Sequence, residues 1–173
     1  TDQATQEFLN ELDALDKPVT VVFYGDHLPG IYSSASEDGN NSLALHLTDY
    51  FIWSNKASSS QGNKASDAAY SSPNFFVAQA ADHMNAKVSP YLAFLTEMQS
   101  KIAAMEPPVV NKIQGWDRIP EGQNIYLDQN GTPMSTDDFD KETKQLLADY
   151  KLIQYDITAG KNYLKDTDFM TLP

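Results

Sequence analysis

Apolar and polar positions along this chain alternate between two kinds of pattern. Val19, Val21, Val22, Phe23 and Tyr24 form an apolar run interrupted only by Thr20, which predicts a strand buried on both faces, as in a parallel sheet. Tyr50 to Ser54 reads as a second short strand. Helical spacing appears elsewhere. Ala4, Phe8, Leu9, Leu12 and Leu15 predict a helix over Asp2 to Asp16, ended by Lys17-Pro18. Ser72-Pro73 supplies a cap and a first-turn proline for a helix with Phe75, Phe76, Ala80 and Met84 inward, which leaves His83 outside. A second such start at Ser89-Pro90 opens the longest apolar stripe, Tyr91, Leu92, Phe94, Leu95, Met98, Ile102 and Met105, which Pro107-Pro108 stops.

The last helix is expected to be capped by Ser135 or Thr136 and to run through Phe139, Leu146, Leu147, Tyr150, Ile153 and Ile157 to Gly160, with a short strand at Leu152 to Tyr155 as the competing assignment. Between Val109 and Met134, short apolar pairs and the Asn130-Gly131 turn signal predict a small antiparallel ribbon. Two stretches lack periodicity: 28–48, a long polar loop, and 55–71, rich in Ser, Asn and Lys and expected to be a mobile surface loop. A helix leading into a buried strand is half of a βαβ unit. The expected fold class is α/β, a partial sheet with flanking helices plus the ribbon, in one domain over 1–173 without internal repeats.

Candidate chemistry concentrates where the first apolar run stops. Gly25 frees the backbone to turn, and Asp26 and His27 follow at the carboxyl end of the strand, where open α/β sheets bind ligands. A hard oxygen beside an imidazole nitrogen is a divalent-metal ligand pair, although two ligands do not complete a site. The competing structural reading makes Asp26 a turn cap and His27 an ordinary surface or core residue. His46, near the far end of the polar loop, is a weaker candidate for contacting substrate. Trp116, between Gly115 and Asp117, fits a gap-filling role better than a ligand-stacking one.

Charge narrows the partners. With 24 acidic against 12 basic residues and a net charge of −12, the chain is unsuited to neutralising nucleic-acid phosphates, and this surface is discouraged from anionic headgroups. There are no cysteines, so disulfides, thiolate ligands and cysteine nucleophiles are excluded. No stretch is apolar enough to span a bilayer, and no signal segment opens the chain.

The string VVFYGDHLPG (Val21 to Gly30), followed by DYFIWSNKA (Asp49 to Ala57), resembles the lipoteichoic acid synthase family, phosphoglycerol transferases within the alkaline phosphatase and sulfatase superfamily. Ser71 to Gln99 is similar to the helical segments that follow the second strand in that family. Leu146 to Leu164 is similar to its carboxyl-terminal ending. The resemblance implies a partial alkaline-phosphatase-like sheet and a divalent metal (manganese, magnesium or zinc), with Asp26 and His27 as ligands. It implies a nucleophilic threonine and a second acidic ligand that would precede Thr1, so this chain corresponds to the carboxyl-terminal part of a catalytic domain and is expected to be inactive alone. Implied partners are the upstream remainder of that domain and an anionic phospholipid or glycolipid substrate. The implied location is the extracytoplasmic face of a bacterial membrane, with this portion soluble.

A sulfatase or phosphatase of the same superfamily is a close variant of this reading. A non-catalytic acidic binding module is an alternative of a different class, in which Asp26 and His27 are merely structural. An incomplete sheet also exposes an edge, which predicts self-association.

Overall fold

The computed structural model describes residues 2–26, 47–64, 69–106 and 124–173. It is a mixed α/β structure whose elements in order are α1 (Asp2–Asp13), β1 (Thr20–Tyr24), β2 (Tyr50–Ser54), α2 (Phe76–His83), α3 (Pro90–Lys101), β3 (Ala104–Glu106), β4 (Ile125–Leu127) and α4 (Lys141–Thr158). None of the described helices is long and apolar enough to cross a membrane.

β1 and β2 pair with each other in an antiparallel ladder running from Thr20 opposite Ser54 to Tyr24 opposite Tyr50. Among the described residues, the parallel, doubly buried arrangement expected for β1 is therefore not found. Val21 and Val22 are half-buried, and Phe23 and Tyr24 are exposed. An apolar run indicates that both faces of a strand are fit for burial but carries no information on the direction of its neighbour.

The sheet is tied to α1 by a polar side chain. Asn55 is fully buried. Its side-chain oxygen accepts from the Val19 amide at 2.9 Å, and its Nδ2 donates to the carbonyls of Leu12 at 3.0 Å and Lys17 at 2.8 Å. The Leu12 carbonyl is in the last turn of α1 and the Lys17 carbonyl lies shortly before β1, so one side chain ties the helix end to the strand start. The segment after β2 consists of turns, and it is pinned more firmly than its polar composition suggests: Ser60 is buried and Asn63 donates to the His83 carbonyl at 3.1 Å.

The apolar core lies in the remainder of the chain. Phe75, Met98 and Ile102 are completely buried, joined by Ala78, Leu95, Tyr126, Phe139 and Leu147. Tyr126 and Phe139 meet edge-on with ring centroids 5.6 Å apart. α3 starts as its Ser-Pro signal predicts, with the Ser89 hydroxyl accepting from the Leu92 amide at 3.4 Å. Ser72 behaves differently. It precedes a single 3-10 turn over Pro73–Phe75, and its hydroxyl makes no cap; it donates to Asn74 Oδ1 at 2.7 Å and accepts from the Met105 amide at 2.9 Å, joining α2's entry to β3.

β3 and β4 form a two-stranded antiparallel ribbon, and Leu127 bridges Pro133 after the chain reverses. Gly131 adopts φ +77°, a left-handed conformation, and a Cβ there would collide with the Tyr70 ring. The turn is closed by Asp128, whose carboxylate accepts from the amides of Thr132 and Asn130, both at 2.8 Å. These bonds, led by Thr132, hold its carboxyl below the usual range.

α4 is capped by Asp140, not by Ser135 or Thr136. The Asp140 carboxylate accepts from the Thr143 amide at 2.7 Å, which lowers its pKa. Phe139 has to reach the core before the helix begins, and this delays the start. Leu152 to Tyr155 is helical, which removes the strand alternative. Lys101 at the end of α3 pairs with Glu142 at 2.6 Å.

Candidate functional site

The open end of the β1–β2 sheet is set by Gly25 and Thr48. The Thr48 hydroxyl donates to the Gly25 carbonyl at 3.0 Å, and a Cβ on Gly25 would sit 2.9 Å from the Thr48 Cβ. Glycine is thus required for close approach of the two chain segments. Tyr24 opposite Tyr50 is the last pair of the ladder, so Asp26 and Asp49 both leave the sheet at this end. Both are exposed. Beneath them, the Phe76 ring at the start of α2 lies 4.8 Å from Tyr24 and 5.4 Å from Tyr50, fixing the strand ends against α2.

Of the candidate site residues, Asp26 is placed at this end; His27 and His46 lie outside the described residues, as does Trp116. The described residues contain no group of three His, Cys, Asp or Glu side chains positioned to hold a metal ion. A solvent-facing carboxylate at a strand end fits one hard-oxygen ligand of a divalent cation. The described residues supply that part of a coordination shell only.

A second polar constellation escaped the hydropathy pattern. His83 is only 2% exposed, contrary to the expectation that it faces outward. Its Nε2 is hydrogen-bonded to the Ser54 hydroxyl at 2.9 Å, and that hydroxyl pairs with Thr20 Oγ1 at 2.8 Å. The inward residues of α2 are Ala78, Gln79, Ala81 and His83, while Met84 is exposed. The helix is therefore rotated from its expected orientation so that two polar side chains face the sheet. Gln79 donates to the Tyr50 hydroxyl at 3.1 Å and accepts from Ser71 at 2.7 Å, and Ser71 accepts from Gln99 at 3.0 Å.

A hydroxyl beside an imidazole is the arrangement of an activated nucleophile. Here both groups are buried, and His83 Nδ1 has no hydrogen-bond partner among the described residues. The pair joins β1, β2 and α2 and is structural. In the sequence, the hint was the spacing of His83 from Gln79, four residues apart and so on one helix face.

The structure thus presents a small, half-buried sheet whose open end carries an acidic group at a strand terminus. Residues 1–86 match the family model described as Sulfatase, which supports the alkaline phosphatase and sulfatase superfamily for this segment. That superfamily consists mostly of enzymes, typically metal-dependent. No curated protein and no solved structure matches the chain.

Proposed function

We propose that this chain is the carboxyl-terminal portion of the catalytic domain of a metal-dependent phosphoglycerol transferase, acting on phosphatidylglycerol-type phosphodiesters in cell-envelope polymer synthesis outside a bacterial membrane. The observation that carries the reading is the Gly25-Asp26-His27 string at the end of β1, inside the segment that matches the sulfatase family model. Asp26 supplies an anionic oxygen and His27 a neutral nitrogen to a divalent cation of unassigned identity. Bound there, such a cation neutralises charge on phosphoryl oxygens and lowers the pKa of an attacking hydroxyl. Gly25 and Thr48 orient the strand end from which both ligands issue. His46 contributes to substrate contact. The nucleophile and the remaining ligands come from the upstream part of the domain.

Sulfate-ester or phosphate-ester hydrolysis is the second reading, favoured by the name of the matching family model. An assay of the intact protein on phosphatidylglycerol and on aryl sulfate and phosphate esters separates the two. Glycerophosphate transfer is expected, lost by about two orders of magnitude or more in Asp26→Ala and in His27→Ala. Ester hydrolysis without transfer would replace this reading with the second, and full activity of both variants would remove the site altogether.

A further inference from the structure

The ladder of β1 and β2 is clamped at both ends, and the two clamps differ. At one end, Asn55 ties it to α1. At the other, from which Asp26 leaves, the clamp comes from the packed region of the molecule. Tyr24 and Tyr50 form the last rung, and the Phe76 ring lies 4.8 Å from the first and 5.4 Å from the second. One turn further along α2, Gln79 donates from Nε2 to the Tyr50 hydroxyl at 3.1 Å. Gln79 is only 2% exposed.

The orientation of the Gln79 amide is dictated by a chain of donors that starts on α3. Gln99, itself buried, has one end of its amide 3.0 Å from the Ser71 hydroxyl and 3.5 Å from the Ala103 carbonyl. Facing two oxygens, one of them a pure acceptor, that end is the nitrogen. Ser71 therefore accepts from Gln99 and gives its own proton to Gln79 Oε1 at 2.7 Å, which turns the nitrogen of Gln79 toward Tyr50. Every bond of the relay runs one way, from α3 through α2 to the last rung. Met98, beside Gln99 on α3, is completely buried, so the relay begins at the apolar core. An apolar side chain could fill the place of Gln79 on α2. What the carboxamide adds is direction.

We propose that Gln79 is a positioning residue for the cation site at Asp26: it holds Tyr50, and through it the end of the ladder, so that the Asp26 carboxylate leaves β1 at a fixed place. The proposal rests on the assignment of Asp26 and His27 as metal ligands. Two links separate Gln79 from Asp26. The first is the Tyr24–Tyr50 rung, and the second is Gly25, whose carbonyl accepts from the Thr48 hydroxyl at 3.0 Å. Thr48 stands two residues from Tyr50, so a shift of Tyr50 reaches Gly25 along both strands. Metal affinity is sensitive to such shifts because ligand atoms have to sit within a few tenths of an ångström of their coordination distance.

Calorimetric titration of the chelator-stripped intact protein with manganese, magnesium and zinc salts tests it, and the salt that binds the wild type is then used for the variants. Asp26→Ala is expected to lose at least about tenfold in affinity. Gln79→Met, which keeps the length of the side chain, and Tyr50→Phe, which keeps the ring on Phe76, should each weaken binding about threefold or more, and the double variant no more than the stronger single one, because both cut the same link. Asn55→Ala, at the opposite end of the ladder, should lower Tm at least as much as either and leave the affinity within about twofold. A merely structural Gln79 would lower Tm without moving the metal affinity. Wild-type affinity in Gln79→Met or Tyr50→Phe beside a loss in Asp26→Ala, or an equal loss in Asn55→Ala, overturns the positioning role and leaves the site standing. Binding undiminished in Asp26→Ala, or absent from the wild type, removes the site and the proposal with it.

Discussion

Residues 69–158 bury Phe75, Met98 and Ile102 completely, whereas the described residues from 2 to 64 bury no hydrophobic side chain and only the polar Ser54, Asn55 and Ser60. The two regions nevertheless have similar apolar raw material, since β1 and β2 contain Val21, Val22, Phe23, Phe51, Ile52 and Trp53. In the first region, α2, α3 and α4 close over one another and over β4. In the second, a two-stranded ladder of five residues per strand has α1 hung from it by Asn55. Two strands alone are marginal in water. The region that carries the candidate chemistry is thus held by directional hydrogen bonds together with exposed or half-buried aromatic contacts, and the region without it by a fully buried apolar core. Polar clamps fix geometry at the open end of the sheet but add little reserve of stability.

This contrast is sharpened most by truncating the core. Phe75→Ala should cost about 3–5 kcal/mol in denaturant unfolding, whereas Val21→Ala on half-buried β1 should cost about 1 kcal/mol; equal costs would erase the distinction. The next largest effect is expected from Asn55→Ala, about 2–3 kcal/mol, because the Val19 amide and the Lys17 carbonyl lose the Asn55 side chain and the Leu12 carbonyl keeps only the Leu15 amide. Hydrogen exchange should then rise across α1 and the start of β1 while α3 stays protected. Ser89→Ala removes the cap of α3 for about 1 kcal/mol, measured as a lower Tm with an unchanged fold.

The smallest effect is a pH dependence confined to the packed region. Asp128 and Asp140 both have pKa values lowered by backbone hydrogen bonds, from Thr132 and Thr143 respectively. A carboxyl whose folded pKa lies below its unfolded value stabilises above the unfolded value, near 4, and that contribution is lost as pH falls through the folded one. Acid titration should therefore lower Tm below about pH 4, and Asp140→Asn should flatten the slope.

Local signals were legible where one residue type satisfies one local demand. β2 spans Tyr50–Ser54 as its apolar pattern indicates, α3 begins at Pro90, and Gly131 sits at the tight turn. Readings failed where a distant partner decides. The direction of β1's neighbour depends on which strand arrives beside it. The burial of His83 depends on Ser54, 29 residues away, which makes an imidazole tolerable on an inward face. The capping signals place the start of α4 too early, at Ser135 or Thr136, whereas Asp140 caps it and Phe139 is buried just ahead of the helix. At the candidate site, the strand end and its acidic residue were readable from the chain, and the close approach of Thr48 to Gly25 was not.

The most direct test of the proposed site is the metal content of the intact protein after purification and dialysis, compared with Asp26→Ala and His27→Ala variants whose folding is verified by unchanged Tm after chelation of all three. A bound divalent cation in the wild type, lost or weakened at least tenfold in both variants, is the predicted result. Equal metal content in all three proteins would contradict the assignment of Asp26 and His27 as ligands.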